Sequence, residues 1–146
     1  MLEALLKRLA SDAPRESPQD QQRLAAAVLL LEVARADYQH APAELAALRA
    51  GLGREFGVTE AALDALLTQA ESRAKQAVSL FDFVQTLNRT MTPEDKRGLL
   101  GLLWEVAHAD GRVDPHEEHL IRRLADLLHL PHADYIRAKL DAAKKS

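Results

Sequence analysis

Apolar residues recur every three to four positions along most of this chain, and the breaks between them carry Pro, Gly, Ser, Thr and Asp. That period is the signature of amphipathic helices, and no stretch shows the alternation of a half-buried strand. A short amphipathic helix is predicted over Leu2 to Leu9, followed by a charged, Pro-containing linker from Ser11 to Ser17. The next helix opens at Ser17-Pro18, with Ser as cap, Pro in the first helical position and Asp20 completing a capping box; it runs to about Asp37. Ala41-Pro42 opens another that ends near Gly57, and Thr59 caps a fourth reaching about Lys75.

Four more follow. Ser79 with Asp82 reads as a capping box for a helix through about Arg89, and Thr92-Pro93 with Asp95 opens the sixth, ending at Asp110-Gly111. Asp114-Pro115 with Glu117 opens the seventh, where Leu120, Ile121, Leu124, Leu127 and Leu128 form one apolar stripe. Leu130-Pro131 leads into a last helix to about Ala143. Short loops between capped helices make antiparallel neighbours. The expected fold is all-α, a compact bundle of about seven to eight helices, with residues 1–17 as a short helix and linker and 18–146 as one domain.

An internal repeat runs through this pattern. LLLEVARADYQHAPAE (Leu29 to Glu44) and LLWEVAHADGRVDPHE (Leu102 to Glu117) match at an offset of 73 residues, with Glu32, Asp37, Pro42 and Glu44 falling on Glu105, Asp110, Pro115 and Glu117. After a one-residue slip, Phe56 and Val58 match Leu128 and Leu130. Each unit is then helix, tight acidic loop, helix, arranged about a pseudo-two-fold axis.

The shared acids are the candidate chemistry. Glu32 and Glu105 sit in very apolar helices, where a carboxylate is costly unless paired, hydrogen-bonded or metal-bound. Asp37 and Asp110 fall at helix C-termini, which disfavour negative charge, while Glu44 and Glu117 lie in the first turn of the following helix. The second repeat adds Asp114 and Glu118 beside Gly111, where the first has Ala41, Leu45 and Tyr38. Such oxygen clusters suit Ca²⁺ or Mg²⁺ better than a transition metal, and the loop is no EF-hand. The first-repeat site should be weaker or absent. The alternative is structural: Asp114 and Glu117 are a capping box, Asp110-Gly111 is a turn dipeptide, and Glu32 with Arg35 and Glu105 with His108 pair one helical turn apart.

Composition narrows the remaining classes. With no Cys, disulfides, thiolate zinc, a thiol nucleophile and iron–sulfur clusters are excluded. A net charge of −3 argues against a nucleic-acid binder. No apolar run reaches a bilayer-spanning length, and the N-terminus lacks a signal-peptide cleavage site, so a cytoplasmic domain is expected. Nothing resembles a phosphate loop or nucleophile elbow, and no Ser/His/Asp set is arranged as a triad, so the chain reads as no enzyme. Five of the six His lie between His108 and His132 and read as solvated surface rather than ligands. Gly98 and Gly101 share a helix stripe with Glu105, where they either permit close helix approach or are merely tolerated; Trp104, Phe81, Phe83 and Leu87 read as core.

The stretch LLWEVAHADGRVDPHEEHLIRRLADLL (Leu102 to Leu128), echoed by LLLEVARAD (Leu29 to Asp37), resembles the TerB-like family, which includes tellurite-resistance TerB proteins and the N-terminal domain of a membrane-anchored DnaJ-like co-chaperone. The resemblance covers about Gln22 to Leu140 and is most specific from Ala109 to Glu118. It implies an all-helical, non-enzymatic module in tellurite, metal or general stress response, with protein partners that are often membrane-associated. It also implies a candidate divalent-cation site at Glu105, Asp110, Asp114, Glu117 and Glu118, and puts the doubled site at Glu32, Asp37 and Glu44 in doubt. The alternative is a protein–protein adaptor or co-chaperone-like domain whose acidic loops only cap helices.

Overall fold

The computed structural model describes residues 17–36 and 42–145, and the described residues hold seven α-helices. These are α1 (Pro18–Ala36), α2 (Pro42–Phe56), α3 (Glu60–Gln76), α4 (Phe81–Thr90), α5 (Pro93–His108), α6 (Pro115–Leu127) and α7 (His132–Lys145). The all-α expectation therefore holds; the helix expected at Leu2 to Leu9 lies outside the described residues.

Most helix starts form where side chains can satisfy the first free N–H groups. Asp20 N–H donates to Ser17 Oγ at 3.1 Å, and Ala62 N–H donates to Thr59 Oγ1 at 3.3 Å. Thr92 with Asp95, and Asp114 with Glu117, form full capping boxes, each with Pro in the first turn. The expected box at Ser79 and Asp82 does not form. Ser79 Oγ instead accepts the Phe81 N–H at 3.3 Å, a local Ser turn, and Leu80 precedes the helix with helical backbone angles and no side-chain cap.

Two helices are apolar nearly all round and so must be central. In α1, Leu24 through Leu31, Val33 and Ala34 are all buried; in α5, Leu99, Leu100, Leu102, Leu103, Trp104, Val106 and Ala107 are. These are the first helices of the two sequence repeats. They pack on each other, each packs on its own second helix (α2, α6), and each also packs on the other unit's second helix. α3 then lies on α1 and α2, as α7 lies on α5 and α6, so the duplication extends to three helices per unit, and α4, which joins them in the chain, packs on α1.

Finer features repeat as well. Among the described residues, Glu44 and Glu117 are the two buried charged side chains, and they occupy matched positions. Gly57 (φ +66°) follows α2 as His129 (φ +61°) follows α6, both left-handed residues that turn the chain out of the helix. The repeat match places those two residues opposite each other. His129 adopts a conformation that Gly57 reaches without a Cβ penalty.

The core expectation holds for Trp104 and Leu87, which are buried, and for the partly buried Phe83. Phe81 corrects it: standing at the first position of α4, its side chain is 61% exposed. Leu127 of the α6 stripe is also at the surface, on the helix's last turn. No helix among the described residues is long and apolar enough to cross a membrane.

Candidate functional site: the acidic corner of the second repeat

The corner between α5 and α6 is built almost wholly from local bonds. α5 ends as Gly111 N–H donates to the His108 carbonyl at 2.8 Å, and Gly111 itself takes φ +81°, which reverses the chain at the cost of no side-chain clash. Asp110 Oδ1 accepts the Arg112 N–H at 3.0 Å, holding the turn. Asp114 Oδ1 then accepts the His116 N–H at 2.7 Å, and Glu117 Oε1 accepts the Asp114 N–H at 3.1 Å. Glu117 is fully buried, so its carboxylate is held inside the corner rather than presented to solvent.

The two remaining acids of this set face cations from distant helices. Glu105 Oε2 meets Arg54 Nη2 of α2 at 2.7 Å, and Arg54 Nε also meets Glu55 at 3.1 Å. The Glu105 hydrogen bond, with a smaller part from Glu55, raises the Arg54 pKa and keeps the guanidinium charged. Glu118 pairs with Lys139 of α7, and that bond raises the ammonium's pKa against the opposing effect of burial. Lys139 also lies 5.8 Å from the centre of the Trp104 ring. Tyr135, whose ring centre is 5.5 Å from that of Trp104, has its phenol pKa raised, chiefly by burial.

In the first repeat, Glu32 is half-buried on α1, Glu44 is buried at the start of α2, and Asp37 lies outside the described residues. The expected short-range pairs are corrected. Arg35 reaches across to Glu71 of α3 at 3.3 Å instead of Glu32, and Glu105 takes Arg54 instead of His108. The His108 ring leans on Trp104, with ring centres 5.9 Å apart.

Among the described residues, no group of three or more His, Asp or Glu side chains is arranged to hold a metal ion. Asp110, Asp114 and Glu117 point at separate backbone N–H groups, while Glu105 and Glu118 are drawn to opposite neighbours. As placed, these five carboxylates do not converge on one point. What the corner offers outward is a groove of about 660 Å³ between α2, α5 and α7, bordered by Arg54, Glu105, His108, Gly111 and Ala142. A smaller hollow of about 180 Å³ adjoins it between α5 and α7, and Glu105 borders both.

Arg54 and Lys139 were not among the residues that the repeat pattern points to. Each comes from an element far away in sequence, and neither sits in a motif that would single it out. Comparison with curated proteins and with solved structures gives no match. A family model described as tellurite resistance protein TerB, however, matches residues 23–140, from the second turn of α1 into α7; the chain belongs to the TerB family.

Proposed function

We propose that this chain is a non-enzymatic, cytoplasmic TerB-family module of tellurite or general stress response that works through protein contacts, its acidic loops serving as helix caps and ion-pair anchors. One observation carries the reading: each carboxylate of the second repeat is already matched to a partner of this chain, three to backbone N–H groups and two to cationic side chains. A divalent-cation role is the competing reading. It requires the second oxygens of these carboxylates, which the bonds above leave unused, to be drawn toward one point.

Calorimetric titration of the protein with Ca²⁺, Mg²⁺ and Mn²⁺ tests this. The expected result is no saturable heat up to millimolar cation and an unmoved melting temperature, because only a ligand of the folded state stabilises it by mass action. A stoichiometric heat accompanied by a rise in melting temperature that Asp110→Asn removes overturns the reading in favour of a cation site.

A further inference from the structure

Helix α7 has two faces. Tyr135 and Ala142 are buried, with Ala138 packed against the core, while the opposite side exposes Ala133, Ile136, Leu140 and Ala143. Those four positions are spaced three, four and three residues apart, the spacing of the inward a and d positions of a heptad. Ile136 and Leu140 are among the few large apolar side chains at the surface, Leu140 at 55% exposure.

The flanks of this seam carry no acid: three are cations and the fourth is a histidine. In the same heptad frame, the positions just before the a residues are His132 and Lys139, and those just after the d residues are Arg137 and Lys144. Lys139 is held by Glu118, whereas neither Arg137 nor Lys144 has an ion-pair partner among the described residues. The acids on α7 stand one turn from Arg137 on its inner side: Asp134 faces Arg97, and both acids border, with Arg137, the hollow beside α5.

We infer that the outer face of α7 is a docking seam for one helix of a partner protein, with apolar residues at heptad spacing and acidic flanking positions. This rests on the interaction-module reading above and names the partner's chemistry. The apolar stripe supplies the knobs and holes, and the flanking charges select the partner. A second copy of this chain is a poor occupant, since basic flanks would meet basic flanks in either helix orientation. A lipid surface is also a poorer fit, because only Ile136 and Leu140 could enter it and the chain as a whole is negative.

The test uses two dye-labelled synthetic peptides of about four heptads, each with Leu at every a and d position, one with Glu and the other with Lys at the flanking positions. Fluorescence anisotropy should show the Glu peptide binding and the Lys peptide binding at least about tenfold more weakly. Leu140→Ser should weaken the Glu peptide by about tenfold or more. The double variant Arg137→Glu with Lys144→Glu should invert the preference, with circular dichroism confirming that both variants stay helical. Equal binding of the two peptides, indifference to Leu140→Ser, or an uninverted preference overturns the proposal. So does sedimentation showing self-association lost in Leu140→Ser, or capture by phosphatidylglycerol vesicles without peptide binding. If the peptides fail while the cation titration stays silent, the seam falls and the module reading stands on another surface; a saturable cation heat removes the module reading itself.

Discussion

Trp104→Ala should cost about 3–5 kcal/mol of folding stability, a large share of the roughly 5–15 kcal/mol typical of a domain. Trp104 is fully buried on a central helix, between His108 and Tyr135, with ring centres at 5.9 and 5.5 Å. Removing it empties a space that α5 and α7 share, and Ala fills little of it. Trp104→Phe should lose less than half as much. The indole Nε1 is buried without a hydrogen-bond partner, so Phe keeps most of the packing and discards an unsatisfied donor. Urea unfolding followed by far-ultraviolet circular dichroism measures both; equal losses for Phe and Ala would mean that the nitrogen, not the ring's bulk, anchors the site.

The same substitution should act with opposite signs at different glycines. A Cβ on Gly51 of α2 would run into the Leu102 side chain of α5, and Leu102 is itself buried in the core. Gly51→Ala should therefore destabilise by about 1–3 kcal/mol, the usual result of overpacking. Around Gly98 of α5 no atom lies within 4 Å of the added carbon. Gly98→Ala should then stabilise by about 0.5–1 kcal/mol, since Ala restricts the unfolded chain and favours helix. Denaturant midpoints of the two variants decide it. A neutral Gly51→Ala would show that α2 and α5 do not approach closely enough for that glycine to matter.

What the sequence discloses about this fold follows from the range of the forces involved. Thr59, Thr92 and Asp114 cap helices within three residues of themselves, so their roles can be read from neighbouring letters. The repeat is legible because Glu44 and Glu117 are both buried at matched positions and keep their register. Gly51 is illegible for the opposite reason. Nothing beside it announces Leu102, fifty-one residues on, whereas Gly98 and Gly101, which share a stripe with Glu105, turn out to be merely tolerated, with open space around both.

Charge pairing fails in the same way. The one-turn rule favoured Glu32 with Arg35 and Glu105 with His108, but a long guanidinium on a facing helix reaches farther than a neighbour's turn, and Glu71 and Arg54 take part instead. The acidic set of the second repeat was therefore identified as residues, while its geometry depended on Arg54 and Lys139. Those two side chains draw Glu105 and Glu118 away from the loop acids. Phe81 shows a smaller failure of the same kind: an aromatic letter signals burial only if its position on the helix faces a neighbour, and the first residue of α4 does not.

Equilibrium unfolding of Asp114 variants measures most directly whether the carboxylates of the second-repeat corner act as caps. Ser can accept the same backbone N–H bonds as Asp, and Ala cannot. Asp114→Ser should thus stay close to the parent stability, while Asp114→Ala should lose about 1 kcal/mol, and neither value should change when millimolar Ca²⁺ or Mg²⁺ is added. Equal losses for Ser and Ala without cation would contradict the capping role, as would a cation-dependent gain in the parent protein that Asp114→Ser abolishes.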